Sequence, residues 1–234
     1  MASRETDGTA TAGTPDNPRG VVLAGGRSQR FGAANKALAS IDGESLLSRA
    51  VAAVQSGRTC PPIVAVQSKR QQRRLESVLR SPVEFVRDAP ALAGPLAGVV
   101  SAARTAGTDR IAVVGCDMPF VNDEAIRWVA RRSSTADAIV PVDNAGALQP
   151  LHAVYRTDAF SGNAAPSNSL RTVLDGLDCC RVPVKSVPAT IPLGRSLTNV
   201  NTKSELREAR QGIDRSDRRG RPRVPGSGGN QRSP

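Results

Sequence analysis

The sequence predicts an α/β protein, a three-layer α/β/α sandwich around a mostly parallel sheet. Short apolar runs typical of buried strands alternate with segments that carry apolar residues at helical spacing. Strands buried on both faces and separated by helices pack as a parallel sheet with right-handed crossovers. With 234 residues, the chain has room for one such domain and polar tails. We place the domain at 19–211, between disordered tails at 1–18 and 212–234.

Each element follows from its local pattern. The predicted strands are 21–23, 63–66, 83–86, 110–115, 138–140, 153–155 and 182–184. The predicted helices are 45–54, 69–79, 99–106, 122–131, 169–174 and 203–210. Ser45 and Asn122 are expected to cap their helices, because a side-chain oxygen at that position accepts a free backbone N–H. In such a sheet, ligands bind at the carboxyl ends of the strands.

The charge of the chain suggests nucleic-acid binding only weakly. The formal net charge is +11, but six arginines and two aspartates lie in the 212–234 tail. One basic cluster falls on a predicted helix, at Lys69, Arg70, Arg73 and Arg74. The chain has one Trp and one Tyr, so aromatic platforms for stacking bases are scarce. We interpret the cluster as a solvated helix face and expect no nucleic-acid partner.

No apolar run reaches the roughly 18 to 20 residues of a membrane span, and the polar N-terminus lacks the apolar core of a signal peptide. We therefore expect a cytoplasmic protein with no membrane partner. Its four cysteines show no metal-ligand spacing and are expected to be reduced thiols. The single histidine, His152, is expected on a strand near the site and not as a zinc ligand.

A glycine-rich segment follows the first strand. Residues 23–32 read Leu-Ala-Gly-Gly-Arg-Ser-Gln-Arg-Phe-Gly, and Lys36 follows shortly after. Glycine allows close approach to the backbone, and nearby cations suit a polyphosphate. The spacing matches neither a Walker loop nor a dinucleotide fingerprint. An ordinary glycine-rich turn is the alternative.

Two aspartates follow two other strands. Asp88 precedes the run Gly94-Pro95-Leu96-Ala97-Gly98, and its carboxylate could accept hydrogen bonds from the N–H and amino groups of guanine. Asp117 ends the clearest buried strand and is followed by Pro119. A carboxylate fixed there suits magnesium, which takes one or two carboxylates and leaves other positions to phosphates and water. Turn or helix-capping roles remain the alternatives for both aspartates.

Together these motifs resemble the nucleotidyltransferases, and among them the molybdenum cofactor guanylyltransferases. The segments 149–155 and 198–202, reading Gln-Pro-Leu-His-Ala-Val-Tyr and Thr-Asn-Val-Asn-Thr, resemble family segments on the acceptor side. By residue type alone, the second segment is a helix cap. The resemblance spans roughly residues 20–210. Where the family usually has Met-Gly-x-Asp-Lys, residues 31–36 read Phe-Gly-Ala-Ala-Asn-Lys, so one residue is added before Lys36.

The resemblance implies a Rossmann-like nucleotidyltransferase sheet and transfer of GMP from GTP to the phosphate of molybdopterin, with Mg²⁺ as cofactor. It implies that Arg30 and Lys36 neutralise phosphates, that Asp88 reads guanine and that Asp117 holds the metal. The implied catalytic residues are Arg30, Lys36 and Asp117. The implied GTP-binding residues are Leu23, Ala24, Gly25, Lys36, Asp88 and Asp117.

Besides GTP and the molybdopterin cofactor, the expected partners are proteins that insert molybdenum or receive the product. One alternative is a cytidylyl- or sugar-phosphate nucleotidyltransferase of the same fold. The motif at Asp88 argues against it. The other alternative, suggested by charge, is a non-catalytic nucleotide-binding or RNA-binding protein.

Overall fold

The computed structural model describes residues 17–25, 36–133, 135–162, 165 and 168–220, with the backbone alone for 212–220. Its strands are β1 (Arg19–Leu23), β2 (Ser40–Ile41), β3 (Glu44–Ser45), β4 (Ile63–Val66), β5 (Glu84–Arg87), β6 (Arg110–Gly115), β7 (Ala138–Val142), β8 (His152–Arg156) and β9 (Cys179–Pro183). Its α-helices are α1 (Leu46–Gln55), α2 (Lys69–Glu76), α3 (Pro95–Thr105), α4 (Asp123–Ala130), α5 (Leu170–Leu174), α6 (Leu193–Ser196) and α7 (Lys203–Gly220).

Within these ranges, seven strands form one sheet in the order β5-β4-β1-β6-β8-β7-β9. β4, β1 and β6 pair in parallel at its centre, as do β4 with β5 and β7 with β9. The prediction of a mostly parallel sheet is therefore confirmed. β8 runs antiparallel to both β6 and β7. The physical reason is its connection: a short loop at 143–151 joins β7 to β8, whereas a parallel crossover needs about a dozen residues or more.

Helices cover both faces of the sheet, which completes the predicted three layers. Alternate residues of β1 enter different cores: Val22 packs with α1, α4 and the buried Leu75 of α2, whereas Val21 packs with α3 and α5. All four residues of β4 are fully buried, as expected for a strand covered on both faces. A third cluster joins the β2–β3 hairpin to α7 through Ile41, Leu46, Val200, Leu206 and Ala209.

Local sequence patterns predicted the bounds of two strands and the caps of two helices correctly. The strands predicted at 63–66 and 110–115 are β4 and β6 with the same bounds. Both predicted caps are confirmed, since Ser45 Oγ accepts from the N–H of Ser48 and Asn122 Oδ1 accepts from the N–H of Ala125, each at 3.0 Å. The prediction for α3 started too late. The helix begins at Pro95, because proline fits the first helical position, which needs no N–H.

Other element boundaries differ from the predictions. α2 ends at Glu76 rather than at 79, and β9 begins at Cys179 rather than at 182. α7 continues to Gly220 and so enters the predicted C-terminal tail, where the expectation of disorder does not match the helical backbone of 212–220. At the other end, Arg58 Nε donates to the carbonyl of Pro18 at 2.9 Å, which ties that residue to the domain. Residues 1–16 and 221–234 lie outside the described ranges, so the proposed domain limits stay a prediction.

None of the helices described here is both long enough and apolar enough to cross a membrane.

His152 lies on β8, as predicted, but its ring is part of the core. Its exposed fraction is 2%, and its Nε2 atom lies 2.6 Å from Ser196 Oγ. That oxygen accepts the backbone N–H of Asn122 at 3.0 Å, so its hydroxyl proton is available to the imidazole. Burial lowers the pKa of His152 to about 4. The neutral ring therefore links β8, α6 and the start of α4.

The buried histidine should make stability depend on pH. The unfolded chain, with an imidazole pKa of about 6.5, takes up a proton that the folded chain excludes down to about pH 4. Stability therefore falls as pH falls through this window, by about 2 kcal/mol between pH 7.5 and 5. Urea unfolding followed by Trp128 fluorescence measures the change. His152→Gln keeps a hydrogen-bond acceptor and should lack this part of the pH dependence; equal slopes in both proteins would contradict the assignment.

Candidate active site

The carboxyl ends of β1, β4, β5 and β6 open into a cleft of about 1200 Å³. The structure brings six of the seven predicted site residues to this cleft: Leu23, Ala24, Gly25, Lys36, Asp88 and Asp117. Arg30 lies outside the described residues. The six come from four separate parts of the chain, and they meet because parallel strands end at the same edge of a sheet.

At the end of β1 the backbone leaves the sheet within two residues. The carbonyl of Leu23 accepts from Cys116 N–H at 3.1 Å, and the N–H of Ala24 donates to the Ala65 carbonyl at 3.0 Å. The carbonyl of Ala24 accepts from the side-chain amide of Gln71 at 2.6 Å. These bonds pair the N–H of Ala24 and the carbonyls of Leu23 and Ala24 within the protein, so the roles expected for both residues in GTP binding stay a prediction. Within the described ranges, Gly25 is the first residue after β1 whose backbone has no hydrogen bond.

Asp88 follows β5 and directs its carboxylate between two glycines. Its N–H extends the sheet by donating to the Val66 carbonyl at 2.9 Å. A Cβ atom on Gly25 would collide with Oδ2 of Asp88, and one on Gly98 would lie 3.1 Å from Oδ1. The pKa of the carboxyl is raised by burial. Among the described residues no hydrogen bond reaches this carboxylate. The N-cap residue of α3 is Gly94, and this helix has no side-chain cap, so a capping role for Asp88 has no support.

Lys36 joins the ends of two distant segments. Its Nζ atom lies 2.7 Å from Asp117 Oδ2 and 2.8 Å from Asn201 Oδ1. The carbonyl of Asp117 accepts from Val200 N–H at 2.8 Å, which binds the end of β6 to the segment before α7. Asn122, and not Asp117, caps α4. The alternative in which Asp117 caps that helix is therefore wrong.

The segment 198–202 caps a helix, as its residue types suggest, and one of its side chains also reaches the cleft. Thr202 Oγ1 accepts from Glu205 N–H at 3.1 Å, and Glu205 Oε2 accepts from Asn201 N–H at 2.5 Å, a reciprocal arrangement that caps α7. The side chain of Asn201 points instead to Lys36 in the cleft. Asn199 donates to the Leu197 carbonyl at 3.3 Å and does not line the cleft. Sequence reasoning noted the paired asparagines but missed the contact of Asn201 with Lys36.

The donor set around Asp117 fits one magnesium ion that is shared with a phosphate. No cluster of three or more His, Cys, Asp or Glu side chains suited to a metal occurs in the part of the chain that the structure describes. Asp117 offers a carboxylate and Asn201 an amide oxygen, both hard ligands. Burial raises the pKa of the neighbouring Cys116 thiol to about 12, and a soft sulfur ligand does not suit magnesium.

The basic cluster on α2 does not line the cleft. Lys69, Arg70, Arg73 and Arg74 are all exposed, whereas Leu75 is buried against the core. This agrees with the predicted solvated face. None of the four cations lines the cleft; from the same helix, Gln71 reaches its edge through Ala24.

The fold and the site define a nucleotidyltransferase. The family model for the MobA-like NTP transferase domain matches residues 20–180, more than half of the chain. This protein belongs to that family and is an enzyme, which overturns the non-catalytic alternative.

Several relatives support the assignment. A probable molybdenum cofactor guanylyltransferase of Pelotomaculum thermopropionicum is 35% identical over 198 residues, covering 82% of this chain and 91% of that protein. One of Thermococcus gammatolerans is 32% identical over 205 residues, covering 82% and 99%.

Solved structures show the same fold. The molybdopterin-guanine dinucleotide biosynthesis protein A of Archaeoglobus fulgidus matches with a TM-score of 0.71 at 24% identity, over 84% of this chain and 99% of that one. A 4-diphosphocytidyl-2C-methyl-D-erythritol synthase of Anaerococcus prevotii matches with a TM-score of 0.59 at 7% identity, over 85% and 97%.

Replacing Gly25 by alanine should damage the site without unfolding the domain. The added Cβ would collide with Oδ2 of Asp88, so the carboxylate must move. A displacement of about 1 Å in a positioning group costs up to about a hundredfold in rate, and we expect nucleotidyl transfer to fall by at least about tenfold. Gly176→Ala is the control, because its Cβ would meet only the Val173 carbonyl at 3.6 Å. Equal transfer rates in the two variants would argue against this geometry.

Proposed function

We propose that this enzyme transfers GMP from GTP to the terminal phosphate of the molybdenum-bound molybdopterin cofactor, forming molybdopterin guanine dinucleotide and pyrophosphate. The observation that carries the proposal is the Asp88 carboxylate, half-buried between Gly25 and Gly98 on the wall of the cleft. The names of the relatives agree with guanylyl transfer.

In this mechanism an oxygen of the acceptor phosphate attacks the α-phosphorus of GTP. A new phosphorus–oxygen bond forms, and the bond to the leaving pyrophosphate breaks. No covalent intermediate with the protein is needed, so the protein acts by positioning and by charge neutralisation. Gly25 would present its backbone to the nucleotide. Lys36, together with Arg30 beyond the described residues, would neutralise the triphosphate and the leaving group.

The Asp88 carboxylate would bind the Watson–Crick edge of guanine. Guanine presents an N1–H and a 2-amino group side by side, and a carboxylate accepts both in charge-assisted hydrogen bonds. Its two oxygens have no donors among the described residues, and its partial burial makes an unpaired state costly. Cytosine and uracil lack this pair of donors. The site therefore favours guanylyl over cytidylyl transfer on a fold that serves both.

Asp117, with Asn201 beside it, would hold a magnesium ion. When bound, the ion would neutralise the negative charge that develops on the phosphate oxygens. Lys36 contacts Oδ2 of Asp117, and both residues line the cleft. The ammonium group is therefore placed to move toward phosphate when the carboxylate takes a metal.

Asp117→Ala should reduce transfer by at least about a hundredfold, because metal-borne charge stabilisation is worth several kcal/mol. The matched control is Asp109→Ala, since Asp109 precedes β6 at its opposite end and is exposed. Pyrophosphate release with GTP, Mg²⁺ and molybdopterin measures both variants. Near-normal turnover of Asp117→Ala would remove this residue from the mechanism.

Asp88 should set the choice of base. A site that hydrogen-bonds one substrate rejects an analogue lacking those groups by up to about four or five orders of magnitude, and partial exposure should reduce this to roughly two or three for GTP over ATP. ITP keeps N1–H but lacks the 2-amino group, so its kcat/KM should lie between the two. Asp88→Ala should lose most of the preference, mainly by losing GTP.

The isosteric variant Asp88→Asn keeps the side-chain shape and should retain part of the preference, because an amide oxygen accepts weaker hydrogen bonds than a carboxylate. Measuring kcat/KM for the three nucleotides in wild type and both variants gives the comparison. Full GTP preference in Asp88→Ala would assign base recognition elsewhere.

A further inference from the structure

The parallel ladder between β1 and β4 lacks one hydrogen bond that the register of the two strands would allow at its carboxyl end. Leu23 is opposite Ala65, so Ala24 is opposite Val66. In a parallel ladder, the N–H of Ala24 then bonds the carbonyl of Ala65, and its carbonyl should accept the N–H of Gln67. The first of these bonds is present, at 3.0 Å. The second is absent among the described residues.

The side chain of Gln71 takes the place of the missing bond. Its Nε2 donates to the Ala24 carbonyl at 2.6 Å, and its Oε1 accepts the N–H of Gln67 at 2.8 Å. A glutamine amide has the same donor and acceptor as a peptide group, so it satisfies both backbone atoms while holding them apart. Gln71 thus ends the ladder as an inserted amide wedge between the two strands.

This separation lies beside the nucleotide side of the cleft. Gly25 is the next residue after Ala24, and Gln67 lines the cleft with it. A Cβ atom on Gly25 would lie 3.3 Å from Cγ of Gln67 and would collide with Asp88. A small shift of Gly25 toward β4 would therefore change its approach to both side chains.

We propose that Gln71 is a positioning residue for nucleotide binding. Its hydrogen bond to the Ala24 carbonyl fixes the backbone at the start of the glycine-rich segment. The inference rests on the proposed function of the cleft. Without the wedge, the N–H of Gln67 can pair directly with the Ala24 carbonyl and extend the ladder by one hydrogen bond. Gly25 would then be drawn toward β4 and away from the position in which it faces Asp88.

The chain offers a matched pair of variants. Gln71→Glu keeps an acceptor for Gln67 but loses the donor to Ala24. Gln72→Glu makes the same chemical change one residue later, where the side-chain amide of Gln72 donates to the exposed Glu76 side chain at 2.8 Å. Both variants add one negative charge to α2, so a difference between them reports the bond and not the charge.

We expect Gln71→Glu to raise KM and Kd for GTP by about tenfold or more. The variant loses the hydrogen bond to the Ala24 carbonyl and places a carboxylate oxygen against that carbonyl oxygen, which repels it. KM for molybdopterin and Tm should change little, and Gln72→Glu should match wild type. Gln71→Lys supplies a donor for Ala24 without the acceptor, and should recover most of the GTP affinity. GTP binding by calorimetry and steady-state kinetics on the full chain provide these values.

Equal GTP affinity in Gln71→Glu and Gln72→Glu would overturn the inference. So would a general loss in Gln71→Glu, with Tm, KM for both substrates and kcat affected alike and no recovery in Gln71→Lys, since that shows a structural role only. Failure of the proposed function looks different: wild type itself would then bind GTP no better than ATP and form no guanine dinucleotide.

Discussion

The arrangement of this site depends on the contacts of the Lys36 ammonium group, which joins two distant segments of the chain. It contacts Asp117, 81 residues away in the sequence, and Asn201, 165 residues away. Neither partner is held by local structure alone, because Asp117 ends a central strand and Asn201 precedes the last helix. The hydrogen bond from Val200 to the Asp117 carbonyl and the apolar contacts of Val200 with Ile41 and Leu46 fix the same junction. Folding of the C-terminal segment is therefore part of assembling the cleft.

Glycine is a second constraint, because both carboxylates of the site lie against glycine backbone. A Cβ on Gly25 would collide with Asp88, and one on Gly115 would collide with Asp117. These glycines are needed for close approach and not for an unusual backbone, since neither has a positive φ. In both places a glycine at or just after the end of a strand leaves room for a carboxylate that lines the cleft.

Sequence patterns located these strand ends well. β4 and β6 are short, apolar and continuous, so Asp117 could be placed at a carboxyl edge from its position after β6 alone. Asp88 and Gly25 could both be placed at strand ends, but their contact could not be predicted, because the order of strands in a sheet depends on tertiary contacts. The contact of Gln71 with Ala24 could not be predicted from the sequence. The two residues are 47 positions apart, and a glutamine on a basic helix is typical of an exposed surface. The strand β8 was predicted at 153–155, but its antiparallel direction was not, because a short apolar run carries no information on direction.

The strength of the Lys36–Asp117 pair bears on how the site can work. The two side chains are 13% and 22% exposed, so water reaches both groups and screens their attraction. Exposed pairs contribute about 1 kcal/mol or less, and breaking a fully buried pair costs several kcal/mol, so this partly buried pair lies between the two limits. In the proposed reaction, the ammonium would exchange Asp117 for a phosphate oxygen while the carboxylate gains another cation, so that neither charge is left unpaired. Partial burial holds the two side chains in place, and partial exposure would leave them room to exchange partners in the proposed reaction.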